Sequence, residues 1–203
     1  MIIKPFFYIV ALVSETDNKL IKPLDSLASN TLDLSNHVII AGFSEIGAMA
    51  ARILDFENMN YVIVDANEKL INDAVDSGFA AFQGDISQLD ALNSLGAARA
   101  SIVILTIKND ITIKKATRII SSNFPNIKII VRAPNMVGAN DLYQLGADII
   151  IPENYENGLQ IGGAALRCLG ISEYEIARIK GQFRAGNYTA AKQRDEDAII
   201  ESS

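Results

Sequence analysis

The sequence predicts an α/β fold, a doubly wound parallel sheet of six strands followed by a helical extension. Three features predict it: apolar runs that are continuous rather than alternating, helical periodicity between them, and a glycine turn joining the first run to the first helix. Continuous hydrophobicity marks strands covered on both faces, as in a parallel sheet. The runs are "HVIIAG" (37 to 42), "YVIVD" (61 to 65), "FAAFQG" (79 to 84), "SIVILTI" (101 to 107), "IKIIVRA" (127 to 133) and "ADIIIP" (147 to 152).

Between the first two runs, Ile46, Met49, Ala50, Ile53 and Leu54 recur at i, i+3, i+4, i+7 and i+8, one apolar stripe of a helix. Gly78, Gly96 and Gly146 each follow a helical pattern and precede a strand, where a left-handed backbone costs glycine little. Ser87 with Asp90, Asn109 and Asn135 stand at positions suited to N-caps. Helical crossovers between parallel strands complete the doubly wound pattern. After "IIIP", residues 153 to 183 read as helices without a further strand, and 184 to 203 as a polar, flexible tail.

The composition narrows the function. At 203 residues, the chain can build one domain with a full core. A hydrophobic fraction of 49% with 21% charged residues belongs to a folded protein. The net charge of −6 and the absence of any basic run interleaved with aromatics argue against nucleic acid as a partner. One cysteine, Cys168, rules out an internal disulfide framework and a multi-cysteine zinc site, and its apolar setting "AALRCLG" predicts a buried, inert thiol.

The lipophilic outlier is "MIIKPFFYIVALV" at 1 to 13, too short for the roughly 20 residues that cross a bilayer. It reads as a packed surface element, the trailing end of a transmembrane helix or a degenerate signal. Residues 14 to 36 lack a sustained period and read as a linker, so the α/β domain is expected over 37 to 152.

Ligands of such sheets sit beyond the carboxyl ends of the strands. The first strand ends in Gly42-Phe43-Ser44-Glu45-Ile46-Gly47, a Rossmann-like G-x-G-x-x-G fingerprint with serine in place of the second glycine. The helix that follows offers free N–H groups and a dipole to a phosphate. Serine either crowds a pyrophosphate or donates a hydrogen bond to it, which raises the weight of AMP or ADP relative to NAD. Asp65 closes the second strand, where a carboxylate accepts ribose hydroxyls and disfavours NADP. Asp85 closes the third strand, placed to contact an adenine edge. Thr106 and Lys108 close the fourth.

No reactive constellation accompanies this pocket. Hydride transfer needs a proton donor or acceptor at the nicotinamide. The single histidine, His37, opens the first strand, about 13 Å from the ligand end at roughly 3.3 Å per residue, and reads as a capping or surface residue. Tyr188 and Lys192 have a Y-x-x-x-K spacing but fall in the tail, a coincidence. Glu153, Glu156, Glu173 and Glu175 read as a solvated helix face. A pocket without a reaction suits a sensor.

The glycine turn, "VIVDANEKLINDAVDSGFAAFQGDISQLDALNSLGAARASIVIL" and "FPNIKIIVRA" together resemble the TrkA-N or RCK domain, which regulates potassium channels and transporters. The continuation "GADIIIPENYENGLQIGGAALRCLGISEYEIARIKGQFR" resembles the regulatory domain of Kef-type potassium/proton antiporters. The resemblance implies a domain on the cytoplasmic face of the inner membrane that controls potassium transport. NAD(H) or AMP is the implied ligand. The implied contacts run along the turn (Gly42, Phe43, Ser44, Glu45, Ile46, Gly47) and continue at Asp65 and Ala66, Asp85 and Ile86, and Thr106.

It further implies a homodimer formed through 153 to 183, a membrane domain as partner, and residues 1 to 13 as the tail of its last transmembrane helix. Glutathione-gated members carry arginines where this chain has Glu45 and Pro134, although Arg132 remains. Losing two positive groups weakens the case for glutathione. A small NAD-dependent oxidoreductase and a ligand-free remnant of the transporter are the competing readings.

Overall fold

The computed structural model describes residues 34–186. β1 (Val38–Ala41), β2 (Tyr61–Asp65), β3 (Ala81–Gln83), β4 (Ile102–Leu105), β5 (Lys128–Ala133) and β6 (Ile149–Pro152) form one sheet in the order β3-β2-β1-β4-β5-β6. Every pairing is parallel, with Val38 opposite both Tyr61 and Ile102. The expected doubly wound sheet is present, though most strands are shorter than the apolar runs. Hydrophobicity continues into the turns because those residues also pack against the core.

The helices are α1 (Glu45–Phe56), α2 (Glu68–Asp76), α3 (Leu89–Ser94), α4 (Asp110–Asn123), α5 (Ala139–Gln144), α6 (Glu153–Cys168) and α7 (Glu173–Ala185). On one face of the sheet, Ile40 and Ile63 pack with Ala51 of α1 and with Ile71 and Ala74 of α2. On the other, Ile39, Val103 and Ile129 pack with Leu92 of α3, with Ile113 and Ile120 of α4 and with Leu142 of α5. Burying both faces is why the strand segments carry no polar alternation.

Gly78, Gly96 and Gly146 have φ of +87°, +71° and +103°, as their place after helices predicts. Asn109 caps α4 by accepting from the Thr112 N–H at 3.0 Å. Two other predicted caps differ. α3 is entered through Gln88, while Ser87 donates its N–H to Asp85. α5 is entered through Gly138, and Asn135 instead closes the preceding turn by accepting from Val137.

The α1 stripe is split: Met49 and Ile53 are more than half exposed while Leu54 packs against the core, because the helix seats on the sheet through Gly47 and Ala51. His37 is fully buried rather than at the surface, its Nε2 3.0 Å from the Leu95 carbonyl. Cys168 is exposed, against the expectation of burial, because it lies on the outer side of the last turn of α6. Tyr188 and Lys192 lie outside the described residues, as do residues 1–33.

α6 and α7 pack closely at Gly163, where a Cβ would collide with the Lys180 side chain. α7 runs to Ala185, two residues into the stretch read as a tail. The four glutamates read as a solvated face are ion-paired: Glu153 with Arg132, Glu156 with Arg184, Glu173 with Arg167 and Glu175 with Arg178.

Candidate functional site

The switch point lies between β1 and β4, whose chains continue in opposite directions across the sheet. The turn after β1 is held there by close packing. Gly42 has φ +105°, and a Cβ on it would sit 2.8 Å from Thr106 Oγ1 and 2.9 Å from the Ile107 nitrogen. A Cβ on Gly47 would overlap the Gly42 carbonyl oxygen. Both outer fingerprint glycines are therefore required by space, and the first also by its backbone angle. The Thr106 hydroxyl lies 3.0 and 2.8 Å from the Ala41 and Gly42 carbonyls and donates to them, pinning β4 to the turn.

Ser44 is the N-cap of α1, and its carbonyl accepts the first helical bond from Ala48 at 2.8 Å. Its side chain makes no capping bond, and the enclosed Oγ has no hydrogen-bond partner. The hydroxyl is thus tucked inward and does not crowd the mouth of the turn. The N–H groups of Glu45, Ile46 and Gly47 have no helical carbonyl a turn behind them and open toward the strand ends. Phe43 is buried and meets Phe79 edge-on at 5.4 Å between centroids.

Asp65 is partly buried and tied to the same turn. Its Oδ2 accepts from the Phe43 N–H and its Oδ1 from the Asn67 N–H, both at 2.8 Å. One lone pair on each oxygen remains for a ribose hydroxyl. Ala66 is exposed beside it, and its carbonyl faces Gln83 Nε2 at 3.5 Å. Asp85 accepts from the Ser87 N–H and from Gln88 Nε2, each at 2.9 Å. Burial pushes the Asp85 carboxyl up, but these hydrogen bonds and the nearby Lys115 charge outweigh it and hold it below the usual range. Ile86 is buried under this loop.

The turn from Gly42 to Gly47, Asp65 with Ala66, Asp85 with Ile86, and Thr106 thus stand at the carboxyl ends of β1 to β4. Thr106 differs from the expectation in kind, since its buried hydroxyl is spent on the turn's own carbonyls. Ile46 points its side chain outward, so its backbone alone faces the strand ends. Sequence reasoning missed Asn67, Phe79 and Gln88, which hold Asp65, Phe43 and Asp85. The asparagine before the α2 pattern was a readable cap, and it does accept from Lys69 at 3.0 Å. Gln88 reaches Asp85 from only three residues away, whereas the Phe43–Phe79 contact depends on a chain crossing that no local pattern encodes.

His37 lies at the opposite end of β1 from the turn. Burial lowers its pKa, as does the Arg99 charge, and the Leu95 carbonyl opposes them. Among the described residues no group of three His, Cys, Asp or Glu side chains could hold a metal ion, and no helix is long and apolar enough to cross a membrane. A separate open groove of about 570 Å³ lies along β6, lined by Tyr143, Ile149, Ile151, Glu156 and Arg184. It is remote from the glycine turn, and its apolar wall is the uncovered side of an edge strand.

Fold and turn together define a doubly wound, Rossmann-like domain with its glycine turn at the β1 switch point. The chain belongs to the TrkA-N domain family, whose model matches residues 38–153. It is 33% identical over 166 residues to the glutathione-regulated potassium-efflux system protein KefC of Enterobacter sp. (strain 638), covering 82% of this chain and 27% of that protein. The chain thus spans about a quarter of the length of the potassium-efflux proteins it matches.

Among solved structures, the Shewanella denitrificans Kef C-terminal domain in its AMP-bound form superposes with a TM-score of 0.64 at 24% identity, covering 76% of this chain and 94% of that one. The GsuK channel bound to NAD superposes at 0.54 and 23% identity, covering 59% and 22%. These two likenesses show the fold.

Proposed function

We propose that this chain is a nucleotide-sensing regulatory domain of a potassium/proton antiporter, binding NAD(H) or AMP on the cytoplasmic face of the inner membrane. The observation that carries the reading is the turn at Gly42 to Gly47. Its two outer glycines are packed too tightly for any side chain, and the helix N-terminus behind it is open. The fit to a phosphate is physical: the free N–H groups of the first turn and the α1 dipole favour an anion, and the Ser44 hydroxyl at the same helix end has no hydrogen-bond partner. Asp65, already held by Phe43 and Asn67, keeps lone pairs for both ribose hydroxyls and repels a 2′-phosphate. Ala66, Asp85 and Ile86 would flank the adenine.

A binding rather than a catalytic role agrees with the transport proteins among its relatives and with the distance of His37 from the ligand end. Glutathione is a poor fit, because Arg132 is engaged by Glu153, with Nε 2.7 Å from Oε2. Dimerisation would use α6 and α7 together with the uncovered side of β6, where Ile149, Ile161, Leu169 and Tyr174 are exposed. Nucleotide binding would act by favouring one dimer arrangement over another, in proportion to its differential affinity for the two.

The test is thermal melting of the chain with AMP, ADP, NAD, NADH, NADP or glutathione. Ligand at 100 times its dissociation constant adds about 2.7 kcal/mol, and the midpoint should rise by several degrees for AMP or NAD(H) and not for NADP. Asp65→Ala should remove the rise. No shift with any nucleotide would leave the remnant reading, and saturable NAD(H)-dependent turnover would establish the oxidoreductase.

A further inference from the structure

The outward side of α1 carries Ile46, Met49, Ile53 and Phe56, which are 36, 55, 60 and 84% exposed. Their spacing of three, four and three residues is that of a coiled-coil seam, and it aligns all four on one side of the helix. The opposite side, with Gly47 and Ala51, is the one seated on the sheet. Single exposed apolar residues are ordinary on a protein surface, but a continuous row is a contact site.

The charges beside this row specify what covers it. Glu45 and Arg52 are seven residues apart, two helical turns, and flank the seam on the same side. Both are exposed, and among the described residues neither makes an ion pair. When two copies of such a helix pair antiparallel about a two-fold axis, like flanks face each other. Glu45 of one copy then approaches Arg52 of the partner subunit, and the same contact repeats across the axis. Parallel pairing would not bring these two flanks together. In the antiparallel orientation the helix is therefore complementary to itself in both its apolar row and its charges.

We infer that α1 is the seam of a two-fold, antiparallel self-pairing of this domain. A helix of 12 residues is about 18 Å long at 1.5 Å per residue. Its contact falls short of the roughly 800 Å² per partner of a standard interface, so the pairing is reversible and rises with protein concentration. It is distinct from any contact made by α6 and α7 and does not depend on nucleotide binding.

Sedimentation velocity of the full chain from micromolar to millimolar concentration tests this, with circular dichroism melting to verify that each variant is folded. The wild type should double in mass with rising concentration. Met49→Glu should halve the mass reached, as should Glu45→Lys or Arg52→Glu singly, whereas the double variant Glu45→Lys/Arg52→Glu should recover it. A contact through α6 and α7 would affect all five chains alike and leave these differences intact. The inference is overturned if Met49→Glu reaches the wild-type mass, if the wild type shows no doubling that these variants remove, or if the charge-swapped double variant stays as low as the singles. In any of those cases the α1 row is covered by something other than a second copy.

Discussion

Gly47 and Gly78 separate two reasons for glycine. At Gly47 a Cβ would overlap the Gly42 carbonyl oxygen, a backbone atom that cannot step aside. Gly47→Ala should cost at least ~2 kcal/mol in urea unfolding, in the range of overpacked sites. At Gly78 a Cβ would meet nothing within 4 Å, but φ is +87°. Gly78→Ala should therefore cost only about 1 kcal/mol, the strain of a left-handed backbone. Equal costs at the two positions would disprove this account of the turn. Both glycines were legible as punctuation in the sequence, and Gly47 also as part of the fingerprint. The severity at Gly47 was not, because the oxygen it faces reaches it only through the turn.

At the scale of an element, α4 illustrates what local sequence can specify. Asn109, Asp110 and the Thr112 N–H lie within four residues, so the cap forms whatever the helix packs against. Asn109→Ala should lower stability by ~1 kcal/mol, readable as a drop in the urea midpoint at unchanged slope. α1 illustrates the opposite case. Its periodicity identified which residues share a side, but the covered side is the one with Gly47 and Ala51. Small residues let the helix approach β1 closely, and that closeness is set by the turn before it. Asn135 and Ser87 were misplaced as caps for a similar reason: nearby Gly138 and Asp85 settled how each chain segment entered its helix.

Across the whole molecule, His37 makes stability depend on pH. Its folded pKa is depressed below the ordinary value of 6.5 by burial first and by Arg99 second, against the Leu95 carbonyl. The unfolded chain binds the proton while the folded one resists it, so stability falls as pH drops below the unfolded value and levels off once the folded pKa is passed. Melting temperature should decline as the pH falls below about 7, and His37→Gln should flatten that decline. A slope unchanged by the substitution would assign it to other groups. The same residue shows how the ends of β1 divide the labour: its amino end is sealed around the imidazole, and its carboxyl end opens into the glycine turn.

Composition, continuous apolar runs and the glycine spacing were enough to specify a parallel doubly wound sheet, its strand segments and the tight glycine turn after β1. These are properties of neighbouring residues, and backbone stereochemistry converts them directly into strands, turns and helix ends. Folding was needed to set which side of α1 is covered, to bury His37 and expose Cys168, and to pair Glu153 with Arg132. It also placed the Asp65 carboxylate on the Phe43 N–H group. Each of these depends on residues brought together by the crossings between strands, and no window along the chain contains both partners and the surface they share.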